Sequence, residues 1–331
     1  MNRRWLTLAG LVVTIVSLVL AFKGTDPHAI WATLSQTGIW WAFPVLGATM
    51  LSIWIRAWRW RLMLEPLGEV TTGETYRATM IGFMANNVLP MRLGELVRAY
   101  SIGREAGVSK SAAFATIVVE RAFDLFAILL FLAFVLLRFS EHFPAWVSVA
   151  GYVAMAACLG LFVVMGLLRW KRDLTMRMFD RMIQWLPSRL RLRVFGLMHR
   201  FLDGLEVLSK AHRILYVTVL SIACWLAVAL SFLFTAYAFD LPRPWEISLL
   251  LVVLTALAVM LPSGPGFVGT FEMGVRYGLT LVKVDESRAL SVAIFYHAVQ
   301  FIPITLIGFY HLWRQNFSLR RAVEEESRAV G

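Results

Sequence analysis

Six stretches of this chain, 5–22, 39–58, 111–137, 145–168, 213–239 and 289–313, are each apolar over about twenty residues. A helix of that length crosses the roughly 30 Å of a bilayer's hydrocarbon core. In lipid no water satisfies backbone N–H and C=O groups, so such segments are restricted to helices or closed barrels. Runs this long and this continuously apolar fit helices. The rest of the composition agrees: 59% of the 331 residues are hydrophobic, 16% are charged, and the mean hydropathy is +0.69. These values exclude an ordinary soluble domain. The fold class expected is an all-α integral membrane protein, a single membrane domain over 1–331.

Two further apolar pieces, 76–90 and 246–261, are too short to span, and each is followed by a second short arm, 91–104 or 267–281. The breaks are alike. Asn86-Asn87-Val88-Leu89-Pro90-Met91-Arg92-Leu93-Gly94-Glu95 and Leu261-Pro262-Ser263-Gly264-Pro265-Gly266-Phe267-Val268-Gly269-Thr270-Phe271-Glu272 both carry Pro-x-x-x-Gly and then a Glu, followed by Val97-Arg98 and Val275-Arg276. The arm 91–104 holds Arg92, Glu95, Arg98 and Arg104, too many charges for a lipid-facing span. Two re-entrant helical hairpins packed inside protein are therefore expected, and paired interruptions of this kind mark the binding site of many transporters.

Lys and Arg set the orientation. With the N-terminus inside, the cytoplasmic segments hold Arg3, Arg4, Arg59, Arg61, the group from Arg92 to Lys110, the stretch from Arg169 to Arg213, and Arg314 to Arg328; the outer loops hold Lys23, Arg138, Arg243, Lys283 and Arg288. Both termini are expected in the cytoplasm, with an uncleaved first span, in a bacterial inner membrane. The order span, span, hairpin, span over 5–137 recurs over 145–313. Three crossings per unit invert the second repeat relative to the first, unless Pro-x-x-x-Gly recurs by chance. The basic connector 169–212 is apolar at Val194, Leu197, Met198, Phe201, Leu205 and Leu208, a helical spacing suited to an anionic leaflet; 314–331 is a charged tail. Cys158 and Cys224 lie within spans and suggest neither a disulfide nor a metal.

The candidate chemistry follows from the breaks. If each second arm begins near mid-membrane, two helix N-termini with unpaired N–H groups converge there on something negative. Gly264, Gly266 and Gly269 leave backbone uncovered, Arg92, Arg98 and Arg276 supply charge, and Asn86 and Asn87 can orient head-group oxygens; the Gly and Pro residues can equally serve the turn alone. In the third span Glu120, Arg121 and Asp124 sit near the midplane, either as groups that act in transport or as a structural ion-pair network. Glu95, Glu272, His297 and Gln300 complete a set for polar gating or proton coupling. No catalytic triad order, zinc spacing or phosphate-binding loop occurs, so no cofactor, metal or nucleic acid is expected. The partners expected are anionic or phosphate-bearing lipids, with a second copy or a lipid-synthesis enzyme as protein partner.

The run from Asn86 through Glu95 and Arg98 to Glu120-Arg121-x-x-Asp124, followed by Pro262-x-x-Pro265-Gly266-x-x-Gly269-x-x-Glu272, resembles the flippase-like family typified by the membrane region of lysylphosphatidylglycerol synthase. The resemblance covers the chain to about residue 314 and implies movement of a polar-headed lipid between leaflets. That synthase carries a soluble aminoacyl-transferase domain after its membrane part, where this sequence has a short charged tail, so lipid aminoacylation is not implied. The alternatives are a membrane-embedded enzyme or enzyme subunit of lipid-linked glycan or phospholipid metabolism, with Glu120, Asp124 or Glu272 as acid or base, and a non-catalytic lipid-binding scaffold.

Overall fold

The computed structural model describes residues 3–89, 93–139, 145–205, 210–260 and 263–315. Pro90, Arg92, Pro262 and the tail from 316 lie outside the described residues. All regular structure described is helical, and five helical stretches are long and apolar enough to cross a membrane: Ile39–Leu67, Lys110–Phe139, Val149–Leu168, Ala211–Ala238 and Glu286–Arg314. They cover five of the six expected spans. The first expected span is helix α1 (Arg3–Phe22), of which Val13–Phe22 counts as a shorter apolar helix.

After α1 comes α2 (Pro27–Gln36), which the apolar pattern does not foretell because His28, Thr33, Ser35 and Gln36 interrupt it. Its start is set by Asp26, whose carboxylate accepts from the His28 N–H at 2.9 Å, and by Pro27 in the first turn. Then follow α3 (Ala42–Leu64), α4 (Thr72–Val88), α5 (Gly94–Glu105) and α6 (Lys110–Phe139). The second half runs α7 (Ala145–Trp170), the connector helices α8 (Arg172–Met182) and α9 (Ser188–Gly204), α10 (Ala211–Ala238), α11 (Pro244–Met260), α12 (Thr270–Leu281) and α13 (Glu286–Arg314). α4 opens on a capping box, in which Thr71 Oγ1 accepts from Glu74 N and the Glu74 carboxylate accepts from Thr71 N at 2.7 Å.

The two broken segments form antiparallel helix pairs. Along α4 and α5 the partners run Arg77 with Glu105, Gly82 with Arg98, and Asn86 with Gly94, so sequence rises on one arm as it falls on the other. Gly94 is dictated by this crossing: a Cβ there would lie 2.0 Å from the Gly82 carbonyl oxygen. Along α11 and α12, Gly274 meets Ala258 and Leu254 while Gly278 meets Leu251 and Leu250, again with opposite sense.

Helices distant in sequence pack together. α3 packs along α10, α4 and α2 pack on α13, and α11 and α9 pack on α6. A core built from α10 to α13 holds Phe232, Phe239, Phe271, Phe295 and Tyr296, with the Phe232 and Tyr296 rings parallel at 4.0 Å. A second core gathers Trp60, Phe123, Ile117 and Leu202 beneath the connector.

Candidate functional site

α3 does not end where its apolar run does. It continues past residue 58 to Leu64, so Arg56 and Arg59, three residues and about one turn apart, share a helix face that packs against α6 and α10. Arg59, which the sequence places on a cytoplasmic flank, has a side chain that is 0% exposed, inside the protein. Facing it on α6 are Glu120 and Asp124, four residues apart and equally buried. Asp124 accepts from Arg56 Nη1 at 2.8 Å, from Arg59 Nη1 at 2.7 Å and from Trp225 Nε1 at 3.2 Å. Glu120 Oε1 accepts from Arg98 Nη1 at 2.9 Å, lies 3.1 Å from Arg59 Nη2, and pairs with Arg121 Nη2 at 2.5 Å. Arg59 also donates to Ser221 Oγ on α10 at 2.6 Å. Four helices, α3, α5, α6 and α10, therefore meet at one charged knot.

The knot is not neutral. Four guanidinium groups, Arg56, Arg59, Arg98 and Arg121, meet two carboxylates, which leaves 4 − 2 = +2. Arg56, Arg59 and Arg98 are at least nine-tenths buried, and among the described residues Arg59 Nε and Arg98 Nε and Nη2 have no acceptor. The guanidinium of Arg98 stands 3.8 Å over the Trp60 ring, a cation–π contact that steadies the group without using its N–H donors. Burying cations in excess is costly unless something negative compensates. Arg121 is 43% exposed while its carboxylate partners are inside, so this one residue joins the knot to the outer face of α6.

A second polar centre lies at the other break. His297 Nδ1 on α13 bonds the Glu272 carboxylate, whose other oxygen accepts from Gly269 N at 2.6 Å, capping α12. Phe271 and Phe301 flank the imidazole at 4.9 and 5.6 Å. In both centres a long helix bonds the second arm of the helix pair before it, Glu120 of α6 to Arg98 of α5 and His297 of α13 to Glu272 of α12. Tyr296 turns away to Ser231 at 2.7 Å.

The remaining candidates fall outside these centres. The uncovered faces of Gly264 and Gly269 are filled by α1: Gly264 N donates to Thr14 Oγ1 at 2.6 Å, and a Cβ on Gly269 (φ +90°) would meet the Thr14 carbonyl at 2.8 Å. Gly266 (φ +69°) abuts Phe301. Asn86 accepts from Gly94 N at 2.8 Å and so closes the first hairpin, while Asn87 donates to Thr305 Oγ1 at 2.8 Å, tying that hairpin to α13. Arg276 donates to the carbonyls of Ala21 and Lys23 at 2.9 and 2.7 Å and pairs with Glu286 at 2.6 Å, which caps the end of α1 rather than presenting its fork to a ligand. Glu95 and Gln300 are half-buried, and Arg92 lies outside the described residues. Sequence reasoning missed Arg56, Arg59, Ser221 and Trp225. The available signal was two arginines one turn apart inside an otherwise apolar helix.

The family model described as the lysylphosphatidylglycerol synthase TM region matches residues 7–308. Among curated proteins, the chain is 26% identical over 366 aligned residues to "Glycosyltransferase AglD" of Haloferax volcanii, covering 98% of this chain and 57% of that protein. It is 24% identical to a UPF0104 membrane protein of Methanothermobacter thermautotrophicus, covering 71% of this chain and 74% of that one, and 24% identical to a UPF0104 membrane protein of Methanocaldococcus jannaschii, covering 67% and 90%. The chain thus spans little more than half the length of the first relative. No solved structure matches it significantly.

Proposed function

Because the chain belongs to the lysylphosphatidylglycerol synthase transmembrane-region family, we propose that it is a lipid translocase that moves an anionic or phosphate-bearing lipid between leaflets. The observation that carries this reading is the buried knot with its excess of +2 and its unpaired guanidinium nitrogens. The barrier to flipping a lipid is the burial of its charged head, and arginines already held in a protein interior replace the hydration that the head gives up. The tails remain in the bilayer. Arg56, Arg59 and Arg98 bind the head, Glu120 and Asp124 hold those arginines in place between turnovers, and the half-exposed Arg121 receives the lipid from the side. In this reading Glu272 and His297 are the groups that couple the cycle to a proton.

The recurring helix order and the exchanged contacts between halves support two inverted repeats, 5–137 and 145–313, with the pairs α4/α5 and α11/α12 entering from opposite faces of a bacterial inner membrane and both termini inside. Single cysteines test this cleanly because Cys158 and Cys224 are buried. A cysteine beside Lys110 should react with an impermeant reagent only from the cytoplasm, and one beside Lys283 only from outside. Reaction of both from one side removes the inverted repeat.

A second reading is favoured by the glycosyltransferase name of the archaeal relative: an enzyme, or a partner subunit of one, acting on a lipid-linked sugar. Reconstitution into liposomes of defined composition separates the two. A translocase exposes labelled lipid in the opposite leaflet chemically unchanged and faster than protein-free vesicles; an enzyme returns altered lipid. Lipid bound but neither moved nor altered would leave only a scaffold, and the translocase reading would be withdrawn.

A further inference from the structure

The basic connector turns outward a different apolar face from the one its sequence suggests. Met198, Phe201 and Leu205, spaced to meet a leaflet, face inward: Leu205 is buried beside Leu202 in the core beneath the connector, and Met198 and Phe201 pack against that core. Gly204 shows how close α9 comes to α6, since a Cβ there would stand 2.5 Å from that of Ala115. α8 is tied to α9 by two charge pairs, Arg191 with Asp180 at 3.0 and 2.6 Å and Arg172 with Asp203 at 2.5 Å. It buries Met176, and Ile183 just beyond its end is buried too. Held in this way, α8 turns its opposite side out.

That side is apolar as well. Leu174, Met178 and Met182 follow one another four residues apart, so they share a helix face, and all three are exposed. Trp185 extends the stripe beyond the helix. Its origin lies on α7, where Val163, Leu167 and Trp170 are exposed at steps of four and three, and the step from Trp170 to Leu174 is four again. α7 holds the membrane-length stretch Val149–Leu168, the least buried of the five such stretches, so its outward residues lie against lipid. Between α7 and α8 the chain breaks at Lys171, whose ψ of +41° is not helical. The lipid-facing stripe of a membrane span thus runs on, past a bend, into a helix too charged to span. Trp170 and Trp185, 79% and 80% exposed, stand at its two ends, and tryptophan is the residue of the head-group level.

Charge says what such a face meets. From Lys171 to Gly204 the cations are Lys171, Arg172, Arg177, Arg181, Arg189, Arg191, Arg193 and Arg200, and the acids are Asp173, Asp180 and Asp203, which gives 8 − 3 = +5. Asp180 and Asp203 are held by the two pairs inside the connector. Next to the stripe, Lys171, Arg177 and Arg181 stand three residues from Leu174 or Met178, are exposed, and have no ion pair among the described residues; Asp173 is the acid beside them, leaving 3 − 1 = +2. Apolar side chains edged by cations are what a helix lying in an anionic bilayer surface requires, whereas water would leave a broad apolar patch with two tryptophans uncovered.

We propose that the outer face of α8, from Trp170 to Trp185, docks on the anionic head-group layer of the bilayer that α7 crosses, with Lys171, Arg177 and Arg181 at the lipid phosphates and Leu174, Met178 and Met182 beneath them. The connector is thereby anchored to one leaflet. This does not depend on the translocase reading.

The test places a fluorophore on that face. Met178→Cys in the whole chain reacts selectively with an NBD reagent, because Cys158 and Cys224 are buried. The labelled protein is set in nanodiscs of phosphatidylcholine that carry a shallow spin-labelled phosphatidylcholine as quencher, with increasing phosphatidylglycerol. Quenching should rise with phosphatidylglycerol. A cation near an anionic surface is worth roughly a fivefold preference, so Arg177→Gln with Arg181→Gln should lower the ratio of docked to undocked helix by about thirtyfold. Asp173→Asn, which removes the acid instead, should bring quenching on at less phosphatidylglycerol, a gain that a misfolded variant cannot give. Quenching absent at every composition would mean that the face meets water. Quenching indifferent to phosphatidylglycerol and to the two arginines would mean that it meets lipid without recognising charge, and an NBD signal that follows protein concentration in lipid-free detergent would assign the face to a second copy. Any of these three results overturns the proposal.

Discussion

Replacing Asp124 by alanine should lower the stability of the folded chain by about 3–5 kcal/mol, the cost of stranding buried charges when one partner is removed. Asp124 is the acceptor for Arg56 at 2.8 Å, Arg59 at 2.7 Å and Trp225 at 3.2 Å, and those arginine side chains are 7% and 0% exposed. With Asp124 gone, four guanidinium groups share the single carboxylate of Glu120, and the excess rises from +2 to +3. Water cannot reach Arg59 to compensate. The double variant Asp124→Leu with Arg59→Met should recover most of the loss, because an apolar pair of similar bulk asks for no counter-charge. Thermal unfolding of the purified protein reads both effects. A loss below about 1 kcal/mol in the single variant, typical of a solvated pair, would show that the knot is open to water. Transport separates structure from function: the double variant should fold and still fail to move lipid, since it keeps the packing and discards one of the proposed head-group ligands.

The apolar spans and the two helix pairs were legible in the sequence because their causes are local. Twenty apolar residues have one use in a membrane, and Pro90 with Gly94, or Pro262 with Gly266, joins a lost N–H to a flexible residue four positions on, a combination that favours a break. The edges were less legible. Arg59 stands just beyond the apolar run 39–58, and charge at the end of a span reads as a flank; only the position of α10, more than 150 residues later, makes it interior. The same holds for Arg276, whose sequence context matches Arg98 but whose partners are the end of α1 and Glu286. The glycines after Pro262 were read as exposing backbone to a ligand, whereas Thr14 and Phe301 fill those places. Glycine declares that something comes close. It does not declare what. Glu120 and Asp124 were singled out from α6 alone, yet their arginine partners on α3 are some 60 residues distant in sequence, and no periodicity links the two helices.

Arg98→Lys should leave the fold within about 1 kcal/mol of wild type and slow lipid movement by roughly tenfold to a hundredfold. The amine keeps the charge and can reach Glu120, which Arg98 Nη1 now contacts at 2.9 Å. What it loses is the planar fork, whose Nε and Nη2 have no acceptor and whose face is fixed 3.8 Å over Trp60. Those idle donors are the groups a phosphate oxygen pair would meet, and a hydrogen bond to a charged group is worth about 1.5–3 kcal/mol, a factor of ten or more in rate if it forms on the way across. An unspecific positive field would respond to charge alone and would treat Lys and Arg alike. Arg77→Lys is the control, because Arg77 pairs with Glu105 on the flank of the same hairpin, 37% exposed and apart from the knot. Its transport should match wild type. The loss in Arg98→Lys should also be confined to phosphate-bearing lipids, for a damaged pathway would slow neutral lipids as well. If Arg98→Lys moves anionic lipid as fast as wild type at equal reconstituted protein, Arg98 serves only to brace Glu120, and the head-group role passes to Arg56 and Arg59.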